Sequence, residues 1–189
     1  MVEQITPDMV LYAYSTGVFP MANQEEGDVI YWIEPEFRGI IPLDGFKVSK
    51  SLKQTLRSGK YYVTINTCFE KVMRSCANRD ETWISEEIIQ VYCNLHEMGY
   101  GFSFETWNQN NELVGGLYGV AMGKAFFGES MFSTQTDASK VALYWLVQWM
   151  KDHQLTLLDT QYISDHLRTL GAIEITKAEY NKLLAEALA

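Results

Sequence analysis

The spacing of apolar and polar positions changes several times along the chain, and each change marks an element. A short helix is read near the start: Thr6 suits the cap, Pro7 the first helical position, and Gly17 the stop. All four prolines (Pro7, Pro20, Pro35, Pro42) lie within the first 42 residues, so irregular chain is predicted after this helix. Regularity returns near residue 46. Residues 49–57 read as a helix ending near Gly59, and residues 61–66 alternate as a strand does. Thr67-x-x-Glu70 predicts a capping box at the next helix. Ser85 opens another, with Glu86 and Glu87 in its first turn and Gly99 beyond its end.

A β-rich centre follows. Residues 102–107, 113–122 and 124–131 read as strands, with turns at 108–111 and at Gly123. Residues 137–151 predict a long helix, 155–160 a buried-type strand, 164–170 a short helix stopped by Gly171, and 172–175 a last strand. Thr176-x-x-Glu179 is a second capping box, opening the terminal helix. This order predicts an α+β (mixed α/β) layered fold with a mainly antiparallel sheet. A length of 189 residues suits one domain, or one domain with a small appendage.

A chain that is 47% hydrophobic and 21% charged can bury a core and is not of the disordered class. No apolar run reaches membrane-spanning length, and the first ten residues lack the basic flank and apolar stretch of a leader, so neither a membrane nor a secreted protein is predicted. Three cysteines (Cys68, Cys76, Cys93) in no metal spacing read as reduced thiols of a cytoplasmic protein. The net charge of −9 argues against nucleic acid until its distribution is seen. Residues 1–45 hold eight acids and one base, whereas residues 46–79 hold eight bases and one acid. On a helix Lys50, Lys53, Arg57 and Lys60 fall within an arc of about 80°. No acid interrupts residues 45–69, so a phosphate-binding stripe stands beside the plainer reading of a solvated helix face.

Three further features are candidates for chemistry. Gly115, Gly116, Gly119 and Gly123 punctuate one strand, which implies either a flanking ligand groove or a tight sheet-to-helix contact. Glu129 sits within an apolar run, where a carboxylate is paired, functional or turned to solvent. By alternation Phe127, Glu129 and Met131 share one strand face. Asp159 and Gln161 project together at a strand end, as site residues or as caps of the next turn. His96, His153 and His166 lie in no nucleophile or metal pattern, so no covalent intermediate, metal or cofactor is expected.

One ordered set of segments runs Tyr14-x-x-Gly17-x-Phe19-Pro20, Trp32-x-x-Pro35-x-x-Arg38, Thr82-Trp83-Ile84, Leu95-His96-x-x-Gly99 and the run 113–120. After these come the run 128–133, Ala138-Ser139-Lys140, Asp159-x-Gln161 and Leu170-Gly171-Ala172. Taken together the set resembles the bacterial leucyl/phenylalanyl-tRNA–protein transferases. The usual pattern is altered at Met21, Tyr31 and Thr160. The resemblance implies a GNAT-like acyltransferase catalytic domain over residues 46–189, after a short N-terminal subdomain over residues 1–45. It implies aminoacyl-tRNA carrying Leu, Phe or less often Met as donor, and proteins with N-terminal Arg or Lys as acceptors, tagged for the N-degron pathway. Glu129, Asp159 and Gln161 would be catalytic. Trp83, Leu117, Phe126, Ser133, Leu146 and Leu158 would hold the aminoacyl-adenosine end, and Lys50, Lys53 and Arg57 the tRNA. On this expectation Asp159 holds the incoming α-amine, Gln161 orients the reacting groups and Glu129 binds the amine of the aminoacyl group. A transferase acting on cell-wall peptides, a silent tRNA-binding module and an acidic adaptor are the competing readings.

Overall fold

The computed structural model describes residues 4–189; residues 1–3 of the expected N-terminal subdomain lie outside the described residues. The first helix, α1 (Pro7–Ser15), is capped as expected: the Thr6 hydroxyl accepts from the Met9 amide at 3.3 Å. The stretch predicted to be irregular instead contains three strands. β1 (Phe19–Asn23) and β2 (Val29–Ile33) form a separate antiparallel hairpin, and β3 (Phe37–Ile40) joins the main sheet. Prolines did not forbid these strands because both members of a two-stranded hairpin are edges, where a missing N–H is tolerated. Pro20 sits in such an edge, and Pro35 and Pro42 only flank β3.

The chain then runs α2 (Lys50–Arg57), β4 (Tyr61–Ile65), α3 (Phe69–Ala77), α4 (Glu86–Glu97), β5 (Gly101–Asn108), β6 (Leu113–Met122) and β7 (Ala125–Ser133). It ends with α5 (Ala138–Asp152), β8 (Leu157–Gln161), α6 (Asp165–Thr169), β9 (Ile173–Thr176) and α7 (Lys177–Leu188). Seven strands form one mixed sheet in the order β4-β5-β6-β7-β8-β3-β9. All neighbours are antiparallel except β7 and β8, which α5 connects as a crossover. On one face α3 and α4 bury Val72, Met73, Val91, Tyr92 and Leu95, joined by Tyr14 of α1 and Tyr180 and Leu184 of α7. On the other, Leu143, Leu146, Val147 and Met150 of α5 pack on Phe104, Leu117, Phe126 and Leu158. Helix layers on both faces of a mixed sheet are the predicted class of fold.

The second capping box forms, with Thr176 and Glu179 bonded reciprocally. The first does not. α3 begins one residue later than the box requires, at Phe69, and Glu70 bonds Arg74 instead. A distant carboxylate has taken over that end. Glu105 of β5, fully buried, accepts from the Thr67 and Cys68 amides at 3.1 and 3.2 Å, and from the hydroxyls of Ser103 and Thr64 at 2.6 and 2.8 Å. A buried charge with four donors beside a helix N-terminus outcompetes an exposed local Glu.

Of the two readings of the glycine strand, Gly115 fits close sheet-to-helix packing, since a Cβ there would lie 2.6 Å from that of Ala138. Gly119 serves a different purpose. β6 pairs Tyr118 with Ser130 and Gly119 with Gly128, so Glu129 is an extra, bulged residue in β7. The predicted alternation therefore fails at this point: Phe127 packs on the α4 side of the sheet and Met131 on the α5 side. A Cβ on Gly119 would lie 2.3 Å from the Phe127 carbonyl oxygen. Gly119→Ala should cost about 3 kcal/mol of stability in a urea titration. A change below about 0.5 kcal/mol, the range of ordinary surface substitutions, would show that the bulge does not need this glycine.

Candidate active site

The parallel ladder between β7 and β8 ends at Phe127–Asp159, and beyond it no pair joins the two strands. In the opening lies a cavity of about 260 Å³. Leu117, Met131, Leu143, Leu146 and Leu158 form its apolar wall, with Met21 and Trp83 also lining it. Its polar groups include Glu129, Gln161, Thr160, Ser164, Arg79 and His166. An apolar pocket with a few convergent polar groups is the usual form of a small-ligand site.

Of the expected pocket residues, Trp83, Leu117, Leu146, Leu158, Glu129 and Gln161 come together there. Two do not. Phe126 is fully buried against Phe104 behind that wall and does not line the cavity. Ser133 ends β7 outside it, where its hydroxyl donates to the Gln135 carbonyl and accepts from the Ser139 amide, tying the turn into α5. The resemblance implied both; Phe126 lies inside the paired stretch of β7 and β8, opposite Leu158, and Ser133 lies beyond the opening at the turn into α5.

Asp159 is also corrected. It is fully buried and does not line the cavity. Its oxygens accept from Arg38 Nε and Nη2 at 3.1 and 2.7 Å, from the Tyr180 hydroxyl at 2.7 Å and from the Gln161 amide at 2.7 Å. With no exposed oxygen and four donors already bound, it offers nothing to an incoming amine. Arg38 is 2% exposed, and its remaining Nη1 donates to the Gly17 carbonyl at 2.7 Å. Burial works against the Arg38 charge, but the Asp159 carboxylate more than offsets this and leaves its pKa raised. Sequence reasoning gave Arg38 no role. The signal was present: it is the single base among the eight acids of residues 1–45.

Gln161 adopts a left-handed backbone with φ of 63°, an unusual state for a residue with a side chain and one that clusters at functional sites. Its Nε2 donates to Glu129 Oε1 at 3.1 Å, leaving the amide carbonyl as its unused polar atom. Glu129 also accepts from the Tyr14 hydroxyl, which shares a 2.5 Å hydrogen bond with Tyr92. Glu129 lies deep in the molecule yet keeps part of its surface open to the cleft. Burial raises its pKa from 4.5 to about 7, and the negative Asp159 adds to the rise. The bonds from Tyr14 and Gln161 and the charge of Arg38 oppose it. Burial, and then the Glu129 charge, likewise hold the Tyr14 hydroxyl well above its ordinary value.

Lys50, Lys53 and Arg57 stand exposed on α2 and share a shallow hollow with Gln54 and Ser58. None lines the cavity, and none is in an ion pair among the described residues. No group of three or more His, Cys, Asp or Glu among those residues is arranged to hold a metal, and no helix is long and apolar enough to cross a membrane.

The sequence pattern described as leucyl/phenylalanyl-tRNA protein transferase matches residues 40–185, and that of the N-terminal domain of the same proteins matches residues 3–36. The chain belongs to this family. It is an aminoacyltransferase, 53% identical to the leucyl/phenylalanyl-tRNA–protein transferase of Paramagnetospirillum magneticum over 98% of its own length and 90% of the relative's. It is 49% identical to that of Cereibacter sphaeroides, over 98% and 86% respectively. Among solved structures it is similar to FemX, with a TM-score of 0.56 at 12% identity. That likeness covers 76% of this chain and 60% of FemX, and it shows a shared fold alone.

Two measurements test the electrostatics. Arg38→Met leaves Asp159 buried without its cation and should cost about 3–5 kcal/mol in a urea titration; a loss below 1 kcal/mol would show that the pair is dispensable. The second concerns Glu129. Between about pH 4.5 and 7 the folded protein retains a Glu129 proton that the unfolded chain has released. The stabilisation is therefore full below pH 4.5, falls as pH rises through 7 and levels off above it, by at most about 3 kcal/mol. Relative to Glu129→Gln, the parent protein should lose about 2 kcal/mol between pH 5 and 8. Parallel stability curves would mean an unshifted carboxyl.

Proposed function

We propose that the enzyme transfers leucine, phenylalanine or less often methionine from aminoacyl-tRNA to the N-terminal Arg or Lys of acceptor proteins. The product would enter the N-degron pathway of the cytoplasm. The observation that carries this reading is the apolar cavity walled by Leu117, Leu146 and Leu158, with Glu129 and Gln161 among the polar groups that line it. That wall suits an uncharged aliphatic or aromatic side chain, and Glu129 suits the ammonium group of an aminoacyl ester.

An aminoacyl ester is already activated, so the step needs no ATP. The neutral α-amine of the acceptor attacks the ester carbonyl carbon. The C–N bond forms, the bond from that carbon to the ribose oxygen breaks, and the ribose oxygen leaves with the proton that the amine gives up. An α-amine of pKa about 8 is partly neutral at pH 7, so positioning supplies much of the rate. Gln161 would accept from the attacking amine through the amide carbonyl that Glu129 leaves unused. Asp159 would be a positioning residue, holding the Gln161 backbone amide and the Arg38 side chain. The exposed Lys50, Lys53 and Arg57 would meet tRNA phosphates.

Incubation with radiolabelled leucyl-tRNA should label a peptide beginning with arginine and leave its N-acetylated twin unlabelled. No transfer from leucyl-, phenylalanyl- or methionyl-tRNA would sink the proposal. Gln161→Ala should lower kcat about a hundredfold, with little change in tRNA affinity. Unchanged turnover would remove Gln161 from the reaction.

A further inference from the structure

The cavity carries one permanent positive charge that this reaction leaves unused. Arg79 follows the end of α3 and lines the cavity with Trp83, its Cζ 5.7 Å from the centre of the Trp83 ring. One side of the guanidinium is anchored. Nε donates to the Cys76 carbonyl at 2.7 Å, and Nη2 to the Ser130 hydroxyl and the Met131 carbonyl, both at 3.2 Å. Every one of these acceptors is neutral. Asp80 and Glu81 follow in the chain, yet among the described residues no carboxylate forms an ion pair with Arg79. The residue is exposed. A planar guanidinium fixed in place and left without a counter-charge is well suited to an anion with tetrahedral oxygens.

The donor's chemistry narrows the choice of anion. An aminoacyl ester has no free carboxylate, and the acceptor N-terminus is cationic. The anions that arrive with the aminoacyl end are phosphates. We propose that Arg79 binds the phosphodiester on the 5′ side of the terminal nucleoside of aminoacyl-tRNA, whose base would lie against Trp83. This rests on the reading that the cavity takes the aminoacyl end of the donor. It sets the exposed cation at the cleft beside the bulge that carries Glu129, since Ser130 and Met131 follow directly in β7.

The test uses two non-hydrolysable ligands, 3′-(leucylamido)adenosine with and without a 5′-phosphate, titrated calorimetrically into the full chain at low salt. In the parent protein the phosphate should tighten binding about tenfold. Arg79→Met should abolish that gain while binding the unphosphorylated ligand as the parent does. Arg79→Lys, which retains a point charge, should keep part of it. No phosphate gain in the parent overturns the proposal, and so does an equal weakening of both ligands in Arg79→Met, which would mean that Arg79 only braces β7. The transfer assay fails independently. A parent that discriminates between the ligands yet transfers nothing would sink the reaction, whereas one that transfers leucine without any phosphate gain would sink the subsite alone.

Discussion

A guanidinium with almost no access to water has to be neutralised where it lies, and the placing of Arg38 on Asp159 organises the rest of the molecule. The fork is bidentate, so it fixes direction as well as charge. Its third nitrogen holds the carbonyl of Gly17 just after α1, and its Cζ lies over the rings of Phe19 and Tyr180, 4.9 and 4.2 Å from their centres. One side chain thus ties the end of α1, the strands β3 and β8, and α7 to a single point. Because α1 is held there, Tyr14 reaches Glu129. Lysine could supply the charge but not the fork.

The same pair explains how β8 can leave its neighbour without disorder. Past Phe127–Asp159 the ladder with β7 is lost, but β8 is still held from its other side by β3. β3 pairs Gly39 with Gln161 and Ile40 with Asp159, so Thr160 is an extra residue there, as Glu129 is in β7. Two irregularities flank one opening. Each breaks alternation, and together they bring Glu129 and Gln161 within hydrogen-bond distance. The left-handed backbone at Gln161 is strain held in place by the Asp159 carboxylate on its amide.

What the sequence made legible follows from the range of each interaction. Helix starts at Thr6, Ser49, Ser85 and Thr176 were readable because each cap closes within three residues. The box at Thr67 misled because its rival, Glu105, lies nearly forty residues away and wins by being buried. The hairpin after α1 is not legible from its prolines, because a proline that occupies an edge or flanks a strand looks in sequence like one that breaks it. At the site, Leu117, Leu146, Leu158, Glu129 and Gln161 followed from the resemblance. Phe126, Ser133 and Asp159 stand away from the cavity because the ladder between β7 and β8, the turn into α5 and a buried arginine decide which side chains face the cleft. None of these leaves a periodic trace, although one base among eight acids was a trace of composition.

The two carboxylates of this site differ in one decisive respect. Asp159 has its own cation, and Glu129 has none, only the neutral donors Tyr14 and Gln161. A buried carboxyl without a cation keeps its proton up to about pH 7, so the charged form is held in reserve for a ligand that brings a positive charge. Arg79 has the opposite vacancy, a fixed cation with no acid to match it. The same cavity has an apolar wall. A ligand that answers all three features carries an ammonium, an apolar side chain and a phosphate in one molecule, as the aminoacylated end of a tRNA does. An uncharged nucleoside would leave Glu129 unmatched and an aminoacyl ester without a phosphate would leave Arg79 unmatched, so each would forgo part of the binding open to a ligand that carries all three.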